Sequence, residues 1–226
     1  MFTVSWIVSV SILLVSFLAI VFTAKFLAKP VDKYNVSFMR MFPFEMARTA
    51  ENNGKFYSFF TYLFAGMCFS PIVVIVETST SKLTNLNPLS IFITCLLGLA
   101  GLCFVFLNIF DVTHVKPHLT IFAIFALLSL LSGALVATRG FVAFDTFKKH
   151  GSTELLLVIS ASLSAFVSFL SLFIIMNPKL KSWARLDQVD GEYVRPKRFT
   201  LAYSEWAILL ALFLIEIIYF VQLLVR

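Results

Sequence analysis

The sequence predicts an all-α polytopic membrane protein, a bundle of six transmembrane helices with short interfacial helices. Three observations predict it. Of 226 residues, 60% are hydrophobic and 13% charged, where soluble domains run about 45 to 50% and about 25%. Six predominantly apolar runs reach the roughly 17 to 25 residues that a helix needs to cross hydrocarbon: 5–24, 56–76, 89–110, 119–138, 155–176 and 206–225. The longest gap between them is 31 residues, short of the roughly 50 that a self-supporting domain needs. Residues 1–226 therefore read as a single membrane domain. Backbone groups in lipid must pair within a helix or around a closed barrel, and these runs lack the period-2 alternation of barrel strands.

Span one is preceded by Met1 to Val4, which carry no Lys or Arg. Without a basic n-region or an A-x-A-like site after it, the span reads as retained rather than as a cleaved signal peptide. In the gap that follows, Val31, Tyr34, Phe38 and Phe42 recur every three to four residues between Asp32, Lys33 and Arg40, an amphipathic pattern suited to a helix on the membrane interface. Pro43 then suits a first helical position and Asn52-Asn53-Gly54 a stop, which predicts a second short helix carrying Glu45 and Arg48 at i, i+3. Lipid-surface anchoring is the expected role of this gap, with a partner-docking surface as the alternative.

Spans two and three hold the three cysteines, Cys68, Cys95 and Cys103. An odd number at lipid depth argues for small packing residues rather than a disulfide framework or a zinc site. Between spans three and four lie Asp111, His114 and His118, with Asn108 just before them. Asp and two His are competent metal ligands, but Pro117 interrupts the helix that would align them, so a polar interfacial loop is expected, with no metal or other cofactor. After span four, Phe141, Phe144 and Phe147 stand beside Lys148 and Lys149, which predicts a helix lying on the outer interface. The last long gap carries six Lys and Arg, with Trp183 and Trp206 near its ends, a composition that suits anionic head groups and the interfacial belt. Within it Asp190-Gly191, between Val189 and Tyr193-Val194, is a hairpin signal, with an ordinary solvated turn joining two spans as the plainer expectation.

Helices in lipid associate closely where small side chains let their backbones approach. Ser160, Ser164 and Ser168 fall four apart in span five, with Ser171 continuing the face. Ser129, Gly133 and Ala137 do the same in span four, and span three has Gly98 and Gly101. These stripes predict the packing seam. A polar pore lining is the sharper alternative for the Ser row, but serine hydroxyls in helices commonly return to their own i−4 carbonyls.

Glu216 is the one acid inside the six runs and sits at the middle of the last. An acid there costs up to about 3.5 kcal/mol, while 14 Ile, Leu, Phe and Val residues each return about 0.3 to 0.6 kcal/mol, so the span inserts. No Lys, Arg or His falls within the six runs to pair with it. Residues eleven apart return to within about 20° on a helix, which puts Glu205 on the face of Glu216, and Tyr219 follows one turn later. Glu205, Glu216 and Tyr219 form the candidate proton or substrate path. The plainer expectation is a neutral carboxyl that holds a neighbouring helix.

The chain carries 18 Lys and Arg against 12 acids. All of these bases lie in the gaps, so the bilayer and its anionic head groups are the expected partners rather than nucleic acid. With the amino terminus outside, inner gaps hold 13 of them and outer gaps 5, so the positive-inside bias favours a cell-membrane orientation with both termini outside. The outer gap with Arg139, Lys148 and Lys149 runs against that bias. Gap lengths in the two halves are mirrored rather than repeated, against a three-plus-three inverted repeat. No GxGD aspartate pair, G-x-S-x-G elbow, HExxH or Walker A motif occurs, so no catalytic residue is assigned. The leading expectation is a non-enzymatic subunit, scaffold or lipid-surface partner, with a possible membrane-protein partner. A small proton-coupled transporter or channel using the Glu216 face comes second, and a lipid-modifying enzyme built on the Asp111 and His114 cluster third.

Overall fold

The computed structural model describes residues 4–27, 38–39, 41–43, 45, 53–77, 87–110, 115–149, 154–182, 187–189, 192–194 and 198–225. Six helical segments long and apolar enough to cross a bilayer make it an all-α polytopic bundle. Helix α1 (Val4–Phe22) ends in a π turn, Thr23–Leu27. The second span is two helices, α2 (Asn53–Met67) and α3 (Pro71–Glu77). Pro71 has no N–H to continue α2 and its ring crowds the preceding turn, so the chain passes through the turn Cys68–Phe69–Ser70 before α3 begins. Asn53 and Gly54, read as a stop, instead open α2, in line with the preference of Asn and Gly for helix starts as well as ends.

Helix α4 spans Asn87–Ile109 and α5 spans Val115–Lys149. The α5 helix corrects three expectations. Pro117 does not interrupt it, because it stands in the first turn, where its missing N–H would have no partner anyway. Phe141, Phe144 and Phe147 do not lie on the outer interface as a separate helix: they continue α5, with Ala143 and Phe147 buried against Leu157. Arg139 and His118, placed in gaps by the sequence, are residues of this helix. Thirty-five residues at about 1.5 Å each exceed the roughly 30 Å hydrocarbon core, so α5 has length to spare at its ends.

Helix α6 (Leu155–Ile175) leads through a 3-10 turn, Pro178–Ser182, to a short hairpin, β1 (Asp187–Val189) and β2 (Glu192–Val194). The pair is antiparallel, with Gln188 opposite Tyr193, so the hairpin reading of the intervening Asp-Gly holds over the plainer solvated turn; Asp190 and Gly191 themselves lie outside the described residues. The last helix, α7 (Thr200–Leu224), starts six residues before Trp206, so Glu205 stands within it beside Glu216. It is the centre of the bundle: 61% of its membrane window is buried, against 44% or less for the other five. A helix packed on most of its circumference by apolar neighbours must be apolar all round, and buried residues run from Leu201 to Leu223.

The α5–α6 seam is built from the small-residue stripes. Ser129, Gly133, Ala137, Ser160, Ser164, Ser168 and Ser171 are all buried. Ser164 donates across the seam to the Gly133 carbonyl at 2.7 Å, while Ser129, Ser168 and Ser171 return to carbonyls four residues back. A Cβ on Gly133 would stand 2.2 Å from the Ser168 hydroxyl, and one on Gly101 would stand 3.0 Å from the Ala65 Cα. Those glycines let α5 approach α6, and α4 approach α2.

Candidate functional site

Polar groups gather at three levels along α7. At its start, the ends of three connections meet. His118, in the first turn of α5, places Nε2 2.7 Å from Glu205 Oε1 and Nδ1 2.7 Å from the Phe110 carbonyl. A carbonyl oxygen only accepts, so Nδ1 carries a hydrogen. One further proton is shared between Nε2 and Oε1, and on either atom the His118–Glu205 pair is neutral in sum. That neutrality is what makes its burial, 0% and 1% exposed, affordable where a lone charge is not.

Over this pair sits part of the first long gap. Phe42 meets the His118 ring edge to face at 5.9 Å and Phe199 at 5.1 Å. Trp206 donates to the Met41 carbonyl at 2.9 Å, and the Phe199 amide donates to the Met39 carbonyl at 2.7 Å. Glu45 closes the turn by accepting from the Phe42 amide at 2.9 Å. Met41, Phe42, Pro43 and Glu45 are buried. This corrects the expectation of lipid anchoring for Phe42: its ring docks on the bundle itself, because an apolar side chain next to an exposed end of a hydrophobic helix gains more by covering it. Val31, Tyr34, Arg40 and Arg48 lie outside the described residues.

At the middle level stands Glu216, fully buried, with neither carboxyl oxygen hydrogen-bonded among the described residues. Cys68, at the α2–α3 break, and Tyr219 are its titratable neighbours. Between Glu205 and Glu216 the buried face of α7 is apolar: Ile208, Leu209 and Leu212 are each 0% exposed.

The third level lies near the other end of α7. Arg139, 4% exposed, donates through Nε to Ser90 Oγ at 2.8 Å and through Nη1 to Gln222 Oε1 at 3.4 Å, with its guanidinium 5.7 Å from the Tyr219 ring centroid. Tyr219 donates to the Ser90 carbonyl at 2.7 Å and Gln222 to the Val136 carbonyl at 3.0 Å. Neutral dipoles and a ring face thus solvate a buried cation.

Of the predicted path, Glu205, Glu216 and Tyr219 are all buried on α7, but Glu205 engages His118 and Tyr219 the Arg139 group, leaving Glu216 between them. Of the predicted polar cluster, Asn108 donates to its own-helix Phe104 carbonyl and His118 turns to Glu205; Asp111 and His114 lie outside the described residues. Among the described residues, no three His, Cys, Asp or Glu converge as a metal site. Sequence reasoning missed Arg139, Ser90 and Gln222. The available signal was that nothing but Gly140 breaks the run from Thr138 to Lys149, whereas Gly151-Ser-Thr marks the stop.

These features define the class: the chain is a multi-pass integral membrane protein whose central helix carries buried polar groups. No family model, curated protein or solved structure matches it.

Proposed function

We propose that the chain is a non-enzymatic membrane subunit that acts at the lipid surface, presenting a folded face built from its long connections. The observation that carries this reading is the docking of Met39, Met41 and Phe42 over His118, Phe199 and Trp206. It makes the start of α7 a packed platform within connections whose sequences are basic, and Lys and Arg next to a bilayer attract anionic lipid, each adding about 1 kcal/mol. The seam hydroxyls are tied to backbone carbonyls, and the cavity lined by Phe17, Val21, Phe38, Trp206, Ala207 and Leu210 is apolar. Both features support a body that holds its shape in lipid rather than one that opens a polar pore. The test is purification in mild detergent, followed by mass spectrometry of what remains bound. Enrichment of anionic phospholipid or of a membrane protein in fixed ratio is the expected result; neither being retained rejects the reading.

A second reading, a small proton-coupled transporter, is favoured by one observation. Glu216 is a buried carboxyl without a hydrogen-bond partner among the described residues, beside a broken span, and broken helices near the midplane are where transporters bind coupling ions. Proton flux in proteoliposomes that disappears in Glu216→Gln would establish it. Against it stands the apolar layer between Glu205 and Glu216.

A further inference from the structure

We infer that the furrow between α1 and α7 is a binding site for an anionic phospholipid, one acyl chain lying in the furrow and the head group resting on Lys25. The inference rests on the lipid-surface reading and narrows it to one place. The furrow, of about 320 Å³, is lined by Phe17, Val21, Phe38, Trp206, Ala207 and Leu210. Its walls are held from behind. Phe17 stacks on Phe213 at 4.0 Å, nearly parallel, and Phe38 meets the Trp206 ring edge to face at 4.8 Å. Because the Trp206 N–H is given to the Met41 carbonyl, the indole offers the furrow only its apolar face. A ligand with polar groups along its body gains nothing there; a hydrocarbon chain does.

The furrow does not suit a partner helix. Close helix association in lipid needs small residues at the contact, and of the six lining residues only Ala207 is small. Beyond the furrow the exposed face of α7 runs on from Leu210 to Leu214, 46% and 38% exposed on a helix that is otherwise mostly buried, in the direction a chain reaching toward the bilayer centre takes. Lys25 supplies the charge. It follows Phe17 and Val21 at intervals of four, on one face of α1 and its terminal turn, and it is exposed, with no acidic partner among the described residues. Phe38 and Trp206 mark the interface level that such a head group occupies.

The test uses the full chain in zwitterionic nanodiscs doped with phosphatidylglycerol or phosphatidylcholine brominated on one acyl chain, reading tryptophan quenching. A Trp206→Phe variant identifies the Trp206 contribution. Brominated phosphatidylglycerol should quench Trp206 at a lower mole fraction than brominated phosphatidylcholine. Lys25→Ala, an exposed change that leaves the fold intact, should raise that fraction about fivefold, the loss of one surface cation, and Lys25→Arg should restore it. Ala207→Phe should abolish the saturable component by filling the furrow. Equal quenching by both lipids, or indifference to Lys25→Ala, overturns the site. Retention of anionic lipid through purification alongside either result leaves the lipid-surface reading standing without this site; loss of both defeats the two together. Quenching that is absent until a second copy or a co-purified protein is removed would show a protein occupant and also overturn it.

Discussion

Glu205 and Glu216 sit eleven residues apart on one buried face, yet their chemistry differs because only Glu205 has a hydrogen-bond partner among the described residues. Breaking a buried hydrogen-bonded ion pair by truncating one side costs about 3 to 5 kcal/mol. Glu205→Ala and His118→Ala should therefore each lower the detergent melting temperature strongly. Glu205→Gln should be mild, since its amide can donate to Nε2 while Nδ1 keeps the Phe110 carbonyl. A Gln variant as damaged as the Ala variant would mean that the pair needs its charge. At Glu216 the expected sign is opposite. A buried polar group without a hydrogen bond costs about 1 to 3 kcal/mol, so Glu216→Met should hold or raise thermal stability. If stability rises while the cell phenotype of a deletion appears, Glu216 serves transport; if both stay unchanged, it serves neither transport nor assembly. A fall in stability would reveal an interhelical bond of about 0.6 to 1.7 kcal/mol.

Helix pairs obey a different control, the space between backbones. Ser164 is fully buried and bonds across to Gly133, whereas Leu163 next to it is 51% exposed. Ser164→Leu should force α5 and α6 apart, at about 1 to 3 kcal/mol for overpacking, and lower the detergent melting point; Leu163→Ile should be mild. Equal tolerance at both positions would place the seam elsewhere. The four-residue spacing of these small residues was legible because helical geometry alone puts them on one face. Which helix they meet was not legible, since spacing within one helix carries no information about its neighbour. Helix ends show the same limit. Pro117 reads as a breaker and Asn53-Gly54 as a stop, yet each residue type is equally at home in a first turn, and neighbouring packing selects between the two roles.

Across the bundle, the ends of the first, third and fifth gaps converge around His118 and Phe42, while Arg139, Ser90 and Gln222 meet near the other end of α7. That alternation is what six crossings require. With 13 Lys and Arg in the gaps of the first group against 5 in the others, the platform face is expected in the cytoplasm. On a background lacking Cys68, Cys95 and Cys103, single cysteines near Arg48 and Arg195 should resist impermeant reagents and one near Lys82 should react. The reverse pattern would invert the orientation and leave the six helices standing. Arg139 adds to the argument: as a residue buried in α5 rather than in an outer loop, it removes one of the three bases that ran against the bias.

Class, number of crossings and approximate limits follow from composition and run length, because water and hydrocarbon sort residues by polarity before any contact forms. The Ser and Gly stripes, the Asp-Gly hairpin and the shared face of Glu205 and Glu216 follow from local periodicity in the same way. Contacts between distant residues do not. That His118 answers Glu205, that Ser90, Gln222 and Tyr219 shelter Arg139, and that Phe42 covers the bundle rather than entering lipid each join positions about 50 to 170 apart in the chain. A buried charge is tolerable only when its partner arrives from another helix, and no local pattern records which helix that is. Packing of six nearly uniform apolar rods chose the neighbours, and with them which polar residues became paired and which, Glu216 among them, found no hydrogen bond among the described residues.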